Sequence, residues 1–200
     1  MPPNENRQDL DETALVAALK QKDEAAFATL VQHYQKRLFG IAYGITLDRE
    51  ESLDIVQETF VRVFQKIDDF RGDAGIATWL YRITVNLSLN WKRRWRRRLR
   101  RVHVSLEAEE TDENKALRDD REVPEDIYLG GELEHRFRQA LTDLPEALRS
   151  VFVLKELEGL SYEEIGRILN VKKGTVSSRL FNARQRLKTS VKPYLSGGEK

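Results

Sequence analysis

The stretch SYEEIGRILNVKKGTVSSRLFNARQRL, residues 161–187, decides how the C-terminal part of this 200-residue chain folds. Ser161 and Glu164 form a capping-box pattern, which predicts that a short helix begins here. Asn170 suits the end of that helix, and Gly174-Thr175 is expected to make a turn and cap a final helix. A short helix, a tight turn and a second helix together form a helix-turn-helix.

The final helix separates into an apolar face and a basic, polar face. The expected buried residues are Val176, Leu180, Ala183 and Leu187. The opposite face carries Ser177, Ser178, Phe181, Asn182 and Gln185, flanked by Arg179, Arg184 and Arg186. Hydroxyls and amides can read base edges, an aromatic ring can meet a thymine methyl, and arginine can hold phosphate or guanine. From Ile165 to Gly198 there are eight basic residues and no acid, which avoids repelling phosphates. The alternative is an ordinary helical hairpin with a solvated basic face.

The first half also shows helical periodicity. A short helix is expected near residues 12–20, and Asp23 is expected to cap a second helix. Asp48 can cap a third, whose predicted apolar stripe is Leu53, Val56, Phe60, Val63, Phe64 and Ile67. The polar residues off that stripe are Asp54, Gln57, Glu58, Arg62 and Gln65.

After the loop DDFRGD (68–73), a long helix is expected to be buried through Ile76, Leu80, Ile83 and Leu87. Its other residues include Trp79, Tyr81, Arg82, Asn86 and Asn90, a mixture that could stack on and read separated bases. Trp79 could equally be core, whereas Asn86 favours a function because asparagine is a poor mid-helix residue. The helix ends in WKRRWRRRLRR (91–101), which could also be a solvated helix end, an RNA-binding arm or a localisation signal.

Charge and periodicity divide the chain into three parts. Residues 105–126 hold ten acids and three bases and lack periodicity, so residues 103–130 are predicted to be a flexible acidic linker. The fold prediction is therefore all-α: a helical domain over 1–102, the linker, and a helix-turn-helix domain over 131–200. No strand pattern appears.

Several function classes find little support in the sequence. The chain has no cysteine, and its three histidines, His33, His103 and His135, are isolated. No phosphate-cradling glycine loop and no metal-ligand spacing are present, so no enzyme, metal, cofactor or small-molecule substrate is expected. Without a signal sequence or an apolar run long enough for a membrane span, the expected location is cytoplasmic, with no membrane insertion.

Two long segments together resemble the extracytoplasmic-function sigma factors, which are small alternative sigma factors of bacterial RNA polymerase. They are LDIVQETFVRVFQKIDDFRGDAGIATWLYRITVNLSLNW (53–91) and LTDLPEALRSVFVLKELEGLSYEEIGRILNVKKGTVSSRLFNARQRLK (141–188). The resemblance covers about residues 12–98 and 131–192. The paired motifs in this order are specific, whereas the helix-turn-helix alone would not be.

The resemblance implies a transcription initiation factor without catalytic chemistry, and it assigns residues to three surfaces. The polymerase-binding surface, expected to meet the beta-prime clamp, comprises Asp54, Gln57, Glu58 and Arg62. The minus-ten surface comprises Phe70, Arg71, Trp79, Arg82, Asn86, Asn90, Lys92, Arg93 and Arg94. The minus-thirty-five surface comprises Lys173, Thr175, Ser177, Ser178, Arg179, Phe181, Asn182 and Arg184. The other implied partners are the beta flap of the core enzyme, promoter DNA and an anti-sigma factor acting in trans.

Two residues depart from the family pattern. Ser177 and Asn182 stand where relatives often carry arginine or lysine, so guanine reading there is weaker or the element differs. Two other classes of protein compete with the sigma factor. A stand-alone helix-turn-helix repressor would need a dimerisation element, which the sequence does not show. A nuclease would need a metal or catalytic site.

Overall fold

The computed structural model describes residues 11–106 and 131–195, and in these ranges it holds eight α-helices and no strand. The helices of the first half are α1 (Glu12–Lys20), α2 (Glu24–Thr46), α3 (Arg49–Lys66) and α4 (Ile76–Leu106), with a 3-10 turn at Ile67–Asp69. Those of the second half are α5 (Gly131–Asp143), α6 (Glu146–Glu156), α7 (Tyr162–Leu169) and α8 (Lys173–Leu195). The all-α prediction is confirmed. The helix α4 extends four residues into the predicted linker, and residues 107–130 of that linker lie outside the described ranges.

Side chains predicted as caps fix where the helices begin. The Asp23 carboxylate accepts a hydrogen bond from the Ala26 amide at 2.7 Å, at the start of α2. Asp48 accepts from the Glu51 amide at 3.0 Å, at the start of α3. These bonds satisfy amides that have no partner within the helix. Both predicted helix starts are confirmed.

In the first half, α2, α3 and α4 pack on one another and α1 closes one side. The Glu12 carboxylate of α1 accepts a hydrogen bond from the Ile76 amide at 2.7 Å, at the start of α4. Hydroxyls also lie inside this bundle: Thr59 of α3 and Thr84 of α4 are fully buried, with their oxygens 3.2 Å apart. Each hydroxyl has one proton: one hydroxyl can donate to the other, while the second donates to the carbonyl four residues earlier in its own helix, so neither is an unsatisfied buried group.

The predicted apolar stripe of α3 is partly wrong. Leu53 and Phe64 are 47% and 50% exposed, whereas the buried face of α3 consists of Ser52, Ile55, Val56, Thr59 and Val63. Because Ser52 and Thr59 are polar, the spacing of apolar residues did not reveal this face. They are tolerated inside because each hydroxyl has a carbonyl four residues earlier within hydrogen-bond reach and a hydroxyl across the core, which is Thr46 for Ser52 and Thr84 for Thr59.

The second half builds a helix-turn-helix on a scaffold of α5 and α6. The side chain of Ser161 and the amide of Glu164 form a capping box at the start of α7, as predicted. Asn170 ends α7 in the left-handed conformation, with φ of 53°. The expectation for Gly174-Thr175 is wrong: α8 already begins at Lys173, because Asn170 makes the reversal and the Lys172 carbonyl accepts from the Thr175 and Val176 amides.

The two halves pack against each other, which the sequence did not predict. Helix α6 lies on α2 and helix α7 lies on α4. One apolar cluster runs through both halves, joining Leu38 and Ile41 of α2 to Leu154 of α6 and Ile168 of α7. The described residues therefore share a core that crosses from the first half to the second.

Candidate nucleic-acid and polymerase interfaces

The final helix has the two faces that the sequence predicted. Its expected core residues Val176, Leu180, Ala183 and Leu187 are all buried. Phe181 is 63% exposed, an unusual position for a large aromatic side chain that has no partner among the described residues. Of the other predicted minus-thirty-five residues, Thr175 and Arg179 are half-buried and five are exposed. The exposed five are Lys173, Ser177, Ser178, Asn182 and Arg184. The helix therefore presents hydroxyls, an amide, a ring and guanidinium groups on one side.

Two basic residues of this surface are engaged in ion pairs within the protein. Lys173 of α8 pairs with Glu163 of α7, and Arg184 pairs with Glu156 of α6 through an Nη2–Oε1 contact of 2.6 Å. The Lys173 hydrogen bond holds the pKa of the Glu163 carboxyl below its usual value. All four side chains are substantially exposed, and exposed ion pairs are weak in water. The two cations can therefore exchange a carboxylate for a phosphate at little cost.

An open groove of about 700 Å³ lies beside the turn of the helix-turn-helix. Its lining includes the basic side chains Arg167, Lys172 and Lys173 and the capping residue Asn170. The basic side chains are all exposed. A groove lined by exposed cations suits a phosphate backbone. Arg167 and Lys172 were not among the predicted site residues, although their place in the acid-free stretch was a signal for them.

Helix α4 presents a polar stripe to solvent. Arg82, Asn86, Asn90, Arg93 and Arg94 are exposed and recur at helical spacing, so they share one side of the helix. Amides and guanidinium groups on one face can contact bases and phosphates along a single strand. This arrangement favours the functional interpretation of Asn86 over a packing role.

The aromatic residues of the minus-ten set are largely packed. Phe70 is 8% exposed, and its ring centroid lies 5.2 Å from that of Trp79. Trp79 is half-buried and packs against the main cluster, as the core alternative expected. Arg71 is exposed at the loop. Lys92 is half-buried, and its ammonium lies 3.4 Å from the Ile45 carbonyl. In this conformation the loop aromatics support the start of α4.

The outer face of α3 is both charged and apolar. Asp54, Gln57 and Glu58 are exposed, and Arg62 pairs with Glu58 one turn earlier, Nε to Oε1 at 2.7 Å. Between them lie the exposed apolar side chains of Leu53, Val61 and Phe64. Charged residues around exposed apolar side chains are typical of a protein-binding surface. Leu53 and Phe64 were missed because their spacing made them look like core, and Val61 was assigned to neither the apolar stripe nor the polar residues of α3.

Among the residues at 11–106 and 131–195, no cluster of three or more His, Cys, Asp or Glu side chains could hold a metal ion. Nor is any helix in these ranges long and apolar enough to span a membrane. His33 is half-buried on α2, where burial and the Arg37 guanidinium lower the pKa of its imidazole. The candidate sites described above are surfaces of helices.

The fold and these surfaces define an all-helical protein with charged and polar faces exposed on α3, α4 and α8. Residues 30–98 match the family described as Sigma-70 region 2, and residues 134–187 match Sigma-70 region 4. The chain is 38% identical over 187 residues to the ECF RNA polymerase sigma-E factor of Haemophilus influenzae, covering 93% of this chain and 98% of that protein. It is 36% identical over 181 residues to the RNA polymerase sigma-H factor of Pseudomonas aeruginosa, covering 90% and 94%.

Solved structures show the same fold. The sigma factor RpoE of Bartonella quintana, solved with the anti-sigma factor NepR, superposes with a TM-score of 0.64 at 25% identity, covering 83% of this chain and 96% of that one. CnrH, solved with the cytosolic domain of CnrY, superposes with a TM-score of 0.65 at 23% identity, covering 91% and 97%. This chain belongs to the extracytoplasmic-function sigma factors, which bind core RNA polymerase and direct it to promoters.

Proposed function

We propose that the three surfaces divide the work of initiation as their chemistry suggests. The outer face of α3 binds the beta-prime clamp of the polymerase through Asp54, Gln57, Glu58 and Arg62. The polar stripe of α4, with the loop before it, reads the minus-ten element, and the exposed face of α8 reads the minus-thirty-five element. The observation that carries this proposal is that Phe181 stands exposed among exposed hydroxyl, amide and guanidinium groups on a helix whose other face is fully buried.

The proposal extends to how the protein is used in the cell. It acts in the cytoplasm, where the polymerase works, and it contributes binding energy rather than catalytic chemistry. The second half also meets the beta flap of the core enzyme. A separate anti-sigma factor holds the protein inactive; this is supported by the related sigma factor that was solved with such a partner.

The first experiment addresses the polymerase surface. In Asp54→Arg/Glu58→Arg, two exposed carboxylates of α3 become guanidinium groups, and the second change also replaces the Glu58–Arg62 ion pair with repulsion. Like charges placed in an interface cost several kcal/mol, so we expect core association to weaken by at least about 100-fold. The measurement is titration of labelled protein with bacterial core polymerase.

The matched control is Glu24→Arg/Asp143→Arg, which changes the net charge equally at two exposed residues of other helices, α2 and α5. The control should bind core polymerase as the unmodified protein does. If Asp54→Arg/Glu58→Arg bound core polymerase as tightly as the control, α3 would not be the polymerase-binding helix.

Run-off transcription on a genomic fragment pool then tests the whole function, because a sigma factor must create new discrete start sites. A footprint of the free protein at two-fold sites would point to a repressor, and metal-dependent DNA cleavage would point to a nuclease.

A further inference from the structure

The loop between the 3-10 turn and α4 is buried at both ends and exposed at its tip. Phe70 and Ile76 are 8% and 1% exposed, whereas Arg71, Gly72 and Asp73 are three consecutive exposed residues. Gly72 takes the left-handed conformation, with φ of 78°, and a Cβ there would meet nothing within 4 Å. The path of this three-residue tip therefore depends on what holds the two ends of the loop.

The end of the loop is held by a residue of α1. Gly75, which precedes α4, has no side chain that can cap the helix, and the first turn of α4 contains no acid. Instead, the Glu12 carboxylate, 64 residues away in the chain, accepts the hydrogen bond of the Ile76 amide at 2.7 Å. A Cβ on Gly75 would lie 3.3 Å and 3.4 Å from the two oxygens of this carboxylate, so the missing side chain lets Glu12 approach. An anion at this place also suits the positive end of a helix.

The start of the loop is held from the other end of α1. Lys22, just after α1, donates from Nζ to the Phe64 carbonyl at 2.7 Å, and the same ammonium lies 3.1 Å from an Asp68 carboxylate oxygen. Phe64 lies in the last turn of α3, where carbonyls lack partners within the helix, and Asp68 lies in the 3-10 turn. The ion pair is exposed and weak, so the bond to the helix carbonyl contributes most of this contact. One cation thus joins the helix and the turn that lead into the loop.

Helix α1 fixes the distance between these two contacts. Glu12 is its first residue and Lys22 follows its end, and the nine helical residues at ~1.5 Å each span roughly 14 Å. Leu15 and Leu19 fasten the helix to the main apolar cluster, where they are almost completely buried. Because both ends of the loop contact one short helix that is itself held by the core, loss of either contact changes the path of the tip.

We propose that Glu12 and Lys22 are positioning residues for promoter reading: they hold the tip, residues 71–73, in the conformation that takes one separated base of the minus-ten element. The inference rests on the proposed function, which gives this loop its role in reading. Neither side chain has to touch DNA, because Glu12 acts through the Ile76 amide and Lys22 acts through Asp68 and the end of α3. A protein without these contacts keeps its helices and its other DNA contacts but distinguishes poorly among bases at one position.

Two substitutions remove the contacts one at a time, each with a matched control. Glu12→Ala removes the acceptor, and its control is Glu24→Ala, because Glu24 is likewise the exposed first residue of a helix, α2. Lys22→Met keeps the length of the side chain but cannot donate, and its control is Lys20→Met, at an exposed residue of α1. Glu12→Gln should restore most of what Glu12→Ala loses, since an amide oxygen can still accept the hydrogen bond.

The first measurement is amide hydrogen exchange in the free protein. The Ile76 amide donates to Glu12, and the Phe70 amide donates to the Ile67 carbonyl within the turn that Lys22 contacts. We expect the Ile76 amide to exchange about tenfold faster in Glu12→Ala and the Phe70 amide about threefold faster in Lys22→Met, with unchanged rates in both controls. Unchanged rates in both variants would overturn the proposal, because these contacts would then not hold the loop.

The second measurement is base discrimination in run-off transcription with bacterial core polymerase, on promoters that the unmodified protein uses. Each position of the minus-ten and minus-thirty-five elements is substituted in turn, and a wrong base typically lowers binding about tenfold. In Glu12→Ala and in Lys22→Met, we expect discrimination at one minus-ten position to fall to about threefold or less, with minus-thirty-five discrimination unchanged. Glu12→Gln should recover most of it. A variant that is merely unstable would instead lose transcription equally on all templates.

The two measurements separate the possible failures. Normal discrimination in both variants, or an equal loss at both elements, would overturn the positioning role. If the exchange rates respond as expected but the unmodified protein creates no start sites, the proposed function fails and the reading role of the loop fails with it, whereas the two contacts stand.

Discussion

Replacing Arg149 with methionine should reveal how much stability one buried guanidinium supplies. Arg149 is fully buried and donates to three carbonyl oxygens: Ile45 at 3.0 Å, Thr142 at 2.5 Å and Leu144 at 3.1 Å. Ile45 lies at the end of α2, and Thr142 lies at the end of α5. The cation thus sits where two helices present their negative ends, an arrangement that stabilises both.

The magnitude follows from the carbonyls left behind. Methionine keeps most of the volume but donates nothing, and each buried carbonyl that loses its donor costs about 1–3 kcal/mol. The Ile45 carbonyl can reach water if the halves separate, whereas those of Thr142 and Leu144 remain inside the second half. Part of the loss is offset because no charge is buried any longer. We expect a net loss of about 3 kcal/mol in the free energy of unfolding.

Urea unfolding measures this loss. With a slope of about 2 kcal/mol per molar urea, the midpoint should fall by about 1.5 M. The control is Arg186→Met, the same change at an exposed residue of α8, which should stay within about 0.5 kcal/mol of the parent. Two probes should be followed, because all three tryptophans lie on α4 while circular dichroism reports every helix. Equal midpoints for the two variants would refute the capping role of Arg149.

Two further predictions concern a buried acid and a tight turn. Burial raises the pKa of the Glu158 carboxyl above its usual value, although the Arg37 guanidinium acts to lower it. Burial, with a contribution from the charge of Glu158, also raises the pKa of the Tyr81 phenol to about 12. Because the charged form is the disfavoured one, the stability contributed by the protonated acid is present below pH 4.5 and is lost as the pH rises through the raised value. Glu158→Gln should therefore raise the urea midpoint at pH 7 and lose this advantage at pH 4; a lower midpoint at pH 7 would mean that the Arg37 attraction dominates. Gly166→Ala should lower the free energy of unfolding by about 1–3 kcal/mol, because its Cβ would lie 2.8 Å from the Val171 carbonyl oxygen, a backbone atom that cannot easily move. The control is Gly174→Ala, whose Cβ would have nothing within 4 Å. Equal melting temperatures for the two variants would contradict the steric explanation.

The local structure of the second half was predictable because its signals are local. Ser161 and Glu164 mark the start of α7, and Asn170 marks its end, through hydrogen bonds and backbone conformations within a few residues. The buried face of α8 followed from apolar spacing alone. The start of α8 was misplaced by the expectation for Gly174-Thr175, since Asn170 already reverses the chain and leaves no role for a turn at the glycine.

The features that the sequence could not reveal depend on distant residues. Leu53 and Phe64 have the same spacing and polarity as core residues, and only the placement of α3 leaves them exposed. The packing of α6 on α2 is equally hidden, because Gly44 reads as an ordinary helix glycine until Val153 is placed against it. The role of Arg149 is hidden too, since its acceptor at Ile45 lies 104 residues away.

The buried hydroxyls between α3 and α4 affect where the polar stripe of α4 lies along the bundle. Apolar side chains pack almost equally well if one helix slides along another, whereas a hydroxyl inside a core must keep its partner. The Thr59–Thr84 contact therefore favours one register of α4 along α3 over registers in which α4 has slid up or down. Asn86 follows Thr84 by two residues, so the same contact fixes how far along the bundle the Asn86 amide lies.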